Sequence, residues 1–137
     1  MPAKGGEAMQ ITQHEAFRPE ESPDGKLLYY GKRNKDGLWS IPVSGGEERQ
    51  VLDSITGMNW TVTSEGIYYL VPAAGPGSHN LVQFYSFKTG KTNQVGTVEE
   101  TLSVDYPGIS VSPDGRWLLY SYIADISSDL MMVDHFR

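Results

Sequence analysis

A nine-residue phrase that occurs twice constrains the fold of this chain more than any other feature. Ser112-Pro113-Asp114-Gly115-Arg116-Trp117-Leu118-Leu119-Tyr120 repeats Ser22-Pro23-Asp24-Gly25-Lys26-Leu27-Leu28-Tyr29-Tyr30 at a separation of 90 residues. Proline at the second place pre-sets φ near −65°, serine and aspartate hydrogen-bond nearby backbone amides, and glycine takes a left-handed conformation. The phrase therefore reverses the chain and launches an apolar strand. A worn third copy, Ser64-Glu65-Gly66-Ile67-Tyr68-Tyr69-Leu70, lacks Pro and Asp and predicts a shorter turn.

The residues around each turn repeat as well. Before it stands a short strand (a): 18–21, 59–63 and 106–111, the last two alternating with Trp60 and Val62, then Ile109 and Val111, on one face. After it comes an apolar strand (b) over 27–30, 67–71 and 117–122, expected to be covered on both faces. Polar loops at 31–37, 72–80 and 124–128 lead to a third strand (c) over 38–43, 81–87 and 130–133. A glycine turn then leads to a polar strand (d). Gln50 and Gln94 hold equivalent places in strand d, and Gln10 holds the same place in an orphan copy that opens the chain. Four short strands recurring every 40 to 50 residues, with no segment of helical periodicity, predict an all-β protein of β-propeller blades.

The expected boundaries are strand d at 5–13, blade 1 at 17–54, blade 2 at 58–99 and blade 3 at 105–137. That makes three four-stranded antiparallel blades, the last lacking its own strand d. Three blades are too few for an ordinary ring of four to eight. Unpaired edges and bare blade faces invite association. The expectation is a homodimer in which strand 5–12 of each copy completes the last blade of the other, closing a six-bladed ring.

Composition narrows the partners. The net charge of −6 repels phosphate backbones and no Lys/Arg cluster reverses it, so nucleic acid is not expected. The absence of cysteine excludes disulfides, thiol chemistry and Cys-based zinc sites. No apolar run approaches membrane-spanning length, so no membrane partner is expected, and residues 1–6 lack the core of a signal peptide. As written the chain is expected in the cytoplasm. Cut from a membrane-anchored parent, it would be periplasmic.

No catalytic constellation emerges, and the chain is read as non-enzymatic and free of cofactors. His14, His79 and His135 match no metal-helix spacing, and Gly108-Ile109-Ser110-Val111-Ser112 fails the nucleophile-elbow pattern. Gly75-Pro76-Gly77-Ser78 lacks the lysine of a phosphate loop. Asp24 and Asp114 serve the turns, and Asp125 and Asp129 lack calcium-loop spacing. The aromatic set Tyr29, Tyr30, Trp39, Trp60, Tyr68, Tyr69, Phe84, Tyr85, Trp117 and Tyr120 recurs at equivalent positions, as packing between blades demands. Topology nevertheless marks one place for binding. The d–a loops and innermost strands bring Phe17, Arg18, Asn59, Trp60, Asp105 and Tyr106 to one mouth of the channel.

The Ser-Pro-Asp-Gly-(Lys/Arg)-x-Leu-x-Tyr signature, the strand Leu38-Trp39-Ser40-Ile41-Pro42-Val43 and the turn Gly45-Gly46-Glu47 resemble the TolB-like, WD-type repeat of bacterial β-propellers. The resemblance runs over residues 5–137, and the tail 128–137 resembles the closing end of such proteins. It implies a scaffold or ligand-sensing module that binds a protein, peptide or small molecule. The alternative is an accessory propeller detached from a prolyl-oligopeptidase-like enzyme, or from a membrane-anchored kinase or transcriptional regulator.

Overall fold

A computed structural model describes residues 5–13, 15–55, 57–75, 77–100 and 108–122. Among them there are ten strands and no helix. The first sheet is an antiparallel meander of β1 (Ala16–Glu21), β2 (Leu27–Lys32), β3 (Lys35–Pro42) and β4 (Arg49–Leu52). The second repeats it with β5 (Trp60–Val62), β6 (Gly66–Val71), β7 (Asn80–Ser86) and β8 (Lys91–Val98). The third pairs β9 (Ile109–Val111) with β10 (Leu118–Tyr120). The expected strand 130–133 lies outside the described residues. The all-β, four-stranded antiparallel architecture stands, and the sheets do not close into a ring within the described part of the chain.

The two full turns share their main hydrogen bonds. In each, the glycine amide donates to the serine carbonyl at 2.8 Å: Gly25 to Ser22 and Gly115 to Ser112. The serine hydroxyl donates to the aspartate (2.7 Å to Asp24, 2.6 Å to Asp114) and accepts the Leu27 or Trp117 amide at 2.9 Å. Gly25 and Gly115 sit at φ 71° and 68°, where a side chain would be strained. The middle copy is shorter, as its sequence predicts. Thr63 replaces the serine, and its amide and hydroxyl both donate to the Gly66 carbonyl, at 2.8 and 2.9 Å.

The outer strands share a further detail. Leu38 pairs with Leu52 but Trp39 pairs with Gln50, leaving Val51 as a bulge. Val82 pairs with Gly96 but Gln83 pairs with Gln94, leaving Val95 as the corresponding bulge. The glutamine-aliphatic dipeptide common to the strands marks this irregularity.

The sheets stack in chain order. Tyr29, Leu38 and Leu52 from the first meet Trp60, Val62, Ile67 and Tyr69 from the second in one core. Leu70, Val82 and Val98 meet Ile109 in another, with Leu118 packed against it. Close backbone approaches between sheets all involve first strands: β1 with β5, and β9 with β5 and β6. Glu20 stitches the first of these contacts, accepting hydrogen bonds from the Thr61 hydroxyl (2.9 Å) and the Val62 amide (2.7 Å).

Two expectations are corrected. The loop placed at 31–37 is a tight hairpin, because β2 runs to Lys32 and β3 starts at Lys35. Lys32 tolerates strand burial because its ammonium lies over Trp39, with Nζ 3.8 Å from the ring centroid, and pairs with Glu48. Strand b of the last unit is not covered on both faces. Trp117 and Leu119 are 67% and 73% exposed, because only the second sheet packs on β9–β10 among the described residues. With them Tyr120 falls outside the core set of aromatics, whereas Tyr29, Tyr30, Trp60 and Tyr69 are buried. Residues 5–12, expected to complete the last blade of a second copy, pair with no strand among the described residues of their own chain.

Candidate functional site

The site expected at the mouth of the inner strands is built on an irregular β1. Phe17 pairs with Gly31 and Glu20 with Tyr29, so Arg18 and Pro19 form a bulge opposite Tyr30. Arg18 occupies φ 48°, the one positive φ of a non-glycine residue among the described residues. The bulge turns the Arg18 guanidinium onto the Trp60 ring, 4.4 Å from its centroid, and Glu20 lies 3.5 Å away. The Arg18 side chain is only 12% exposed, and burial lowers its pKa against the raising effect of Glu20. Phe17 lies over Gly31, where a Cβ would stand 2.4 Å from the ring.

Trp60 is fully buried and Asn59 nearly so. The Asn59 carbonyl accepts the Leu70 amide at 2.9 Å, and its side-chain oxygen faces Gly108, where a Cβ would come within 2.5 Å. Arg18 and Trp60 are therefore brought together, and Asn59 follows directly at the junction with β9. These residues form the floor of the inner-strand junction rather than an open platform. Phe17 is turned toward its own sheet. Asp105 and Tyr106 lie outside the described residues.

Among the described residues, Trp60 Nε1 is buried at this floor without a hydrogen-bond acceptor, and Arg18 Nη1 has the Glu20 carboxylate at 3.5 Å as an ion-pair partner but no hydrogen bond. They lie on the two partners of the same cation–π contact. An acceptor reaching this point would meet a cation and an indole N–H together.

Sequence reasoning missed two other places. Lys32, Tyr30, Trp39 and Glu48 form a partly buried polar knot, with the Tyr30 hydroxyl donating to Glu48 at 2.7 Å. Burial and that bond raise the Tyr30 pKa well above the usual phenol value. A depression of about 560 Å³ lined by Gln13, Glu15, Lys32, Asn34 and Lys35 adjoins it. The signal was the Tyr30-x-Lys32 alternation, which places both on one strand face. The second is a cleft of about 530 Å³ between the first two sheets, where Pro23, Leu27 and Tyr29 face Thr63, Ser64 and Phe87. Among the described residues no group of three or more His, Asp or Glu is placed to hold a metal, and His79 is an exposed loop residue. His14, His135, Asp125 and Asp129 lie outside the described residues. Ser78 closes its own turn, its hydroxyl donating to the Gly75 carbonyl at 2.6 Å.

No protein-family model matches the chain, and no curated protein matches it.

Proposed function

We propose that the chain is a non-catalytic module of the β-propeller type, similar to TolB-like repeats, that self-assembles as a homodimer and binds a protein, peptide or small molecule at its inner strands. The observation that carries this reading is the meeting of first strands. Among the described residues the main backbone approaches between meanders are of β1 with β5 and of β9 with β5 and β6, while Leu38 and Leu52 also pack on the second sheet. Sheets stacked in chain order with their first strands meeting suit an arrangement as blades around an axis. The repeated Ser-Pro-Asp-Gly turns and the repeated outer-strand bulges support the same unit.

The inner junction is the favoured binding place, because strain, a buried cation and a buried indole N–H without an acceptor coincide there. A ligand carrying a carboxylate or another strong acceptor suits it. The test is a thermal-shift screen of short peptides and small carboxylates against the wild-type chain and Arg18→Ala. A ligand that raises the wild-type Tm and leaves the variant unmoved supports the reading. Ligands that shift both proteins equally would place binding elsewhere.

A further inference from the structure

The middle copy of the repeated turn closes early, and its neighbours do not. In the full turns the serine amide donates to the carbonyl five residues on, Ser22 to Leu27 and Ser112 to Trp117. Thr63, in the serine's place, donates to Gly66, three residues on. Because the sheets stack in chain order, the short turn sits between the two longer ones. A cleft opens on each side of it, about 530 Å³ toward the first sheet and about 370 Å³ toward the third, and Thr63 and Ser64 wall both.

Each cleft is lined by an aromatic pair. Tyr29 and Phe87 line the first with ring centroids 6.0 Å apart, and Tyr68 and Phe84 line the second at 4.5 Å. Their polar surroundings differ. Pro23 and Leu27 add apolar surface to the first, and Asp24 at its rim is paired with the exposed Lys26 at 3.3 Å. In the second, exposed Glu65 and Asp114 stand beside the rings, and neither has an ion-pair partner among the described residues. No described lysine or arginine lines either cleft, and Arg116 lines the neighbouring depression with Trp117 and Leu118.

Ring faces beside unpaired carboxylates attract an organic cation. The first cleft suits an apolar side chain. Packed sheets lie ~10 Å apart, so successive clefts between them are spaced by about that step. A polyproline II segment has three residues per turn and rises ~3.1 Å per residue, so its side chains i and i+3 share a face ~9 Å apart.

We infer that the edge formed by the three turns docks a polyproline II peptide, with an apolar residue in the first cleft and an arginine or lysine three places away in the second. This edge begins where β1 ends, past the Arg18 bulge, and is a separate surface from the inner junction. The inference rests on the stacking of the sheets, not on the ligand proposed for that junction.

The test is fluorescence anisotropy with labelled peptides that carry Leu-Pro-Pro-Arg or Arg-Pro-Pro-Leu between flanking prolines. Saturable binding of at least one to the wild-type chain is expected. Glu65→Gln, Phe87→Ala and a peptide with glutamine for arginine should each weaken it by about threefold or more, with the circular dichroism spectrum of each variant unchanged. A peptide shortened to Leu-Pro-Arg should bind more weakly as well. Absence of saturable binding by either peptide overturns the inference. Equal affinity for the arginine and glutamine peptides overturns it too, as does equal affinity for the shortened one. Loss of binding in Arg18→Ala with Glu65→Gln unaffected overturns it in favour of the inner junction and leaves the proposed function standing.

Discussion

The bulge at Arg18 sets strain against attraction, and two substitutions separate them. Arg18→Ala removes the contact with Trp60, worth ~1–2 kcal/mol when the cation is desolvated. Glu20 keeps its bonds to Thr61 and Val62, so its charge is not orphaned. Release of a buried guanidinium returns part of the loss, so the net cost is about 1 kcal/mol or less. Arg18→Gly loses the same contact but relieves a left-handed backbone at φ 48°, worth ~1–2 kcal/mol. Against this stands the extra unfolded-state freedom of glycine, about 0.5–1 kcal/mol. The glycine variant should therefore be about 0.5–1 kcal/mol more stable than the alanine variant, the reverse of the order in a regular strand. Urea titrations of the three proteins, compared by midpoint at constant m, measure the difference. If alanine equals or exceeds glycine in stability, Arg18 is not held in a left-handed conformation and the strain assigned to the site is refuted.

The remaining predictions follow from the turns and close approaches. Ser22→Ala should cost ~1–2 kcal/mol and more than Ser112→Ala, because the two hydroxyls make matching bonds to the following strand and to aspartate but Ser22 is buried at 9% exposure; equal costs in chemical denaturation would refute the burial argument. Gly66→Ala should be destabilising by ~3 kcal/mol or prevent folding, because its Cβ would stand 2.0 Å from the Tyr85 carbonyl oxygen, whereas Gly96→Ala, with Val82 3.7 Å away, should change stability by less than ~1 kcal/mol. Bonds from the Ser22 hydroxyl and the Lys26 amide lower the Asp24 pKa, and the corresponding Ser112 and Arg116 bonds lower that of Asp114. These groups contribute stability above the ordinary carboxylate pKa of 3.8, and the contribution is lost as pH falls through the lowered folded-state values. The double variant Asp24→Asn, Asp114→Asn should accordingly show a shallower loss of Tm between pH 5 and pH 2, roughly the window in which such carboxylates titrate.

Local sequence carried the architecture because its decisive steps are local. Ser22-Pro23-Asp24-Gly25 and its copy specify their own hydrogen bonds within six residues, so the strands on either side were placed correctly. The shortened middle turn was legible from the missing Pro and Asp. Errors arose where a distant partner decides. Lys32 reads as a loop residue until Glu48 and Trp39 are beside it. Trp117 and Leu119 read as core until it is known which sheet lies on each side. The inner-strand site was half legible. Topology brought Arg18, Asn59 and Trp60 to one junction, but nothing in the sequence revealed that Asn59 and Trp60 are sealed beneath it, or that the Arg18 backbone is left-handed. That conformation comes from the bulge, which depends on pairing with β2.

The bulges at Val51 and Val95 carry a consequence for how such a molecule grows. Each interrupts the spacing of amides and carbonyls on an outermost strand, and each adds local twist. A foreign strand approaching β8 along its length meets a broken row of donors and acceptors, although that strand is otherwise mostly uncharged and exposed. Lateral extension is thereby frustrated, whereas the last sheet leaves Trp117 and Leu119 bare. On the proposed blade reading, growth would add leaves to a stack rather than lengthen a ribbon at its edge.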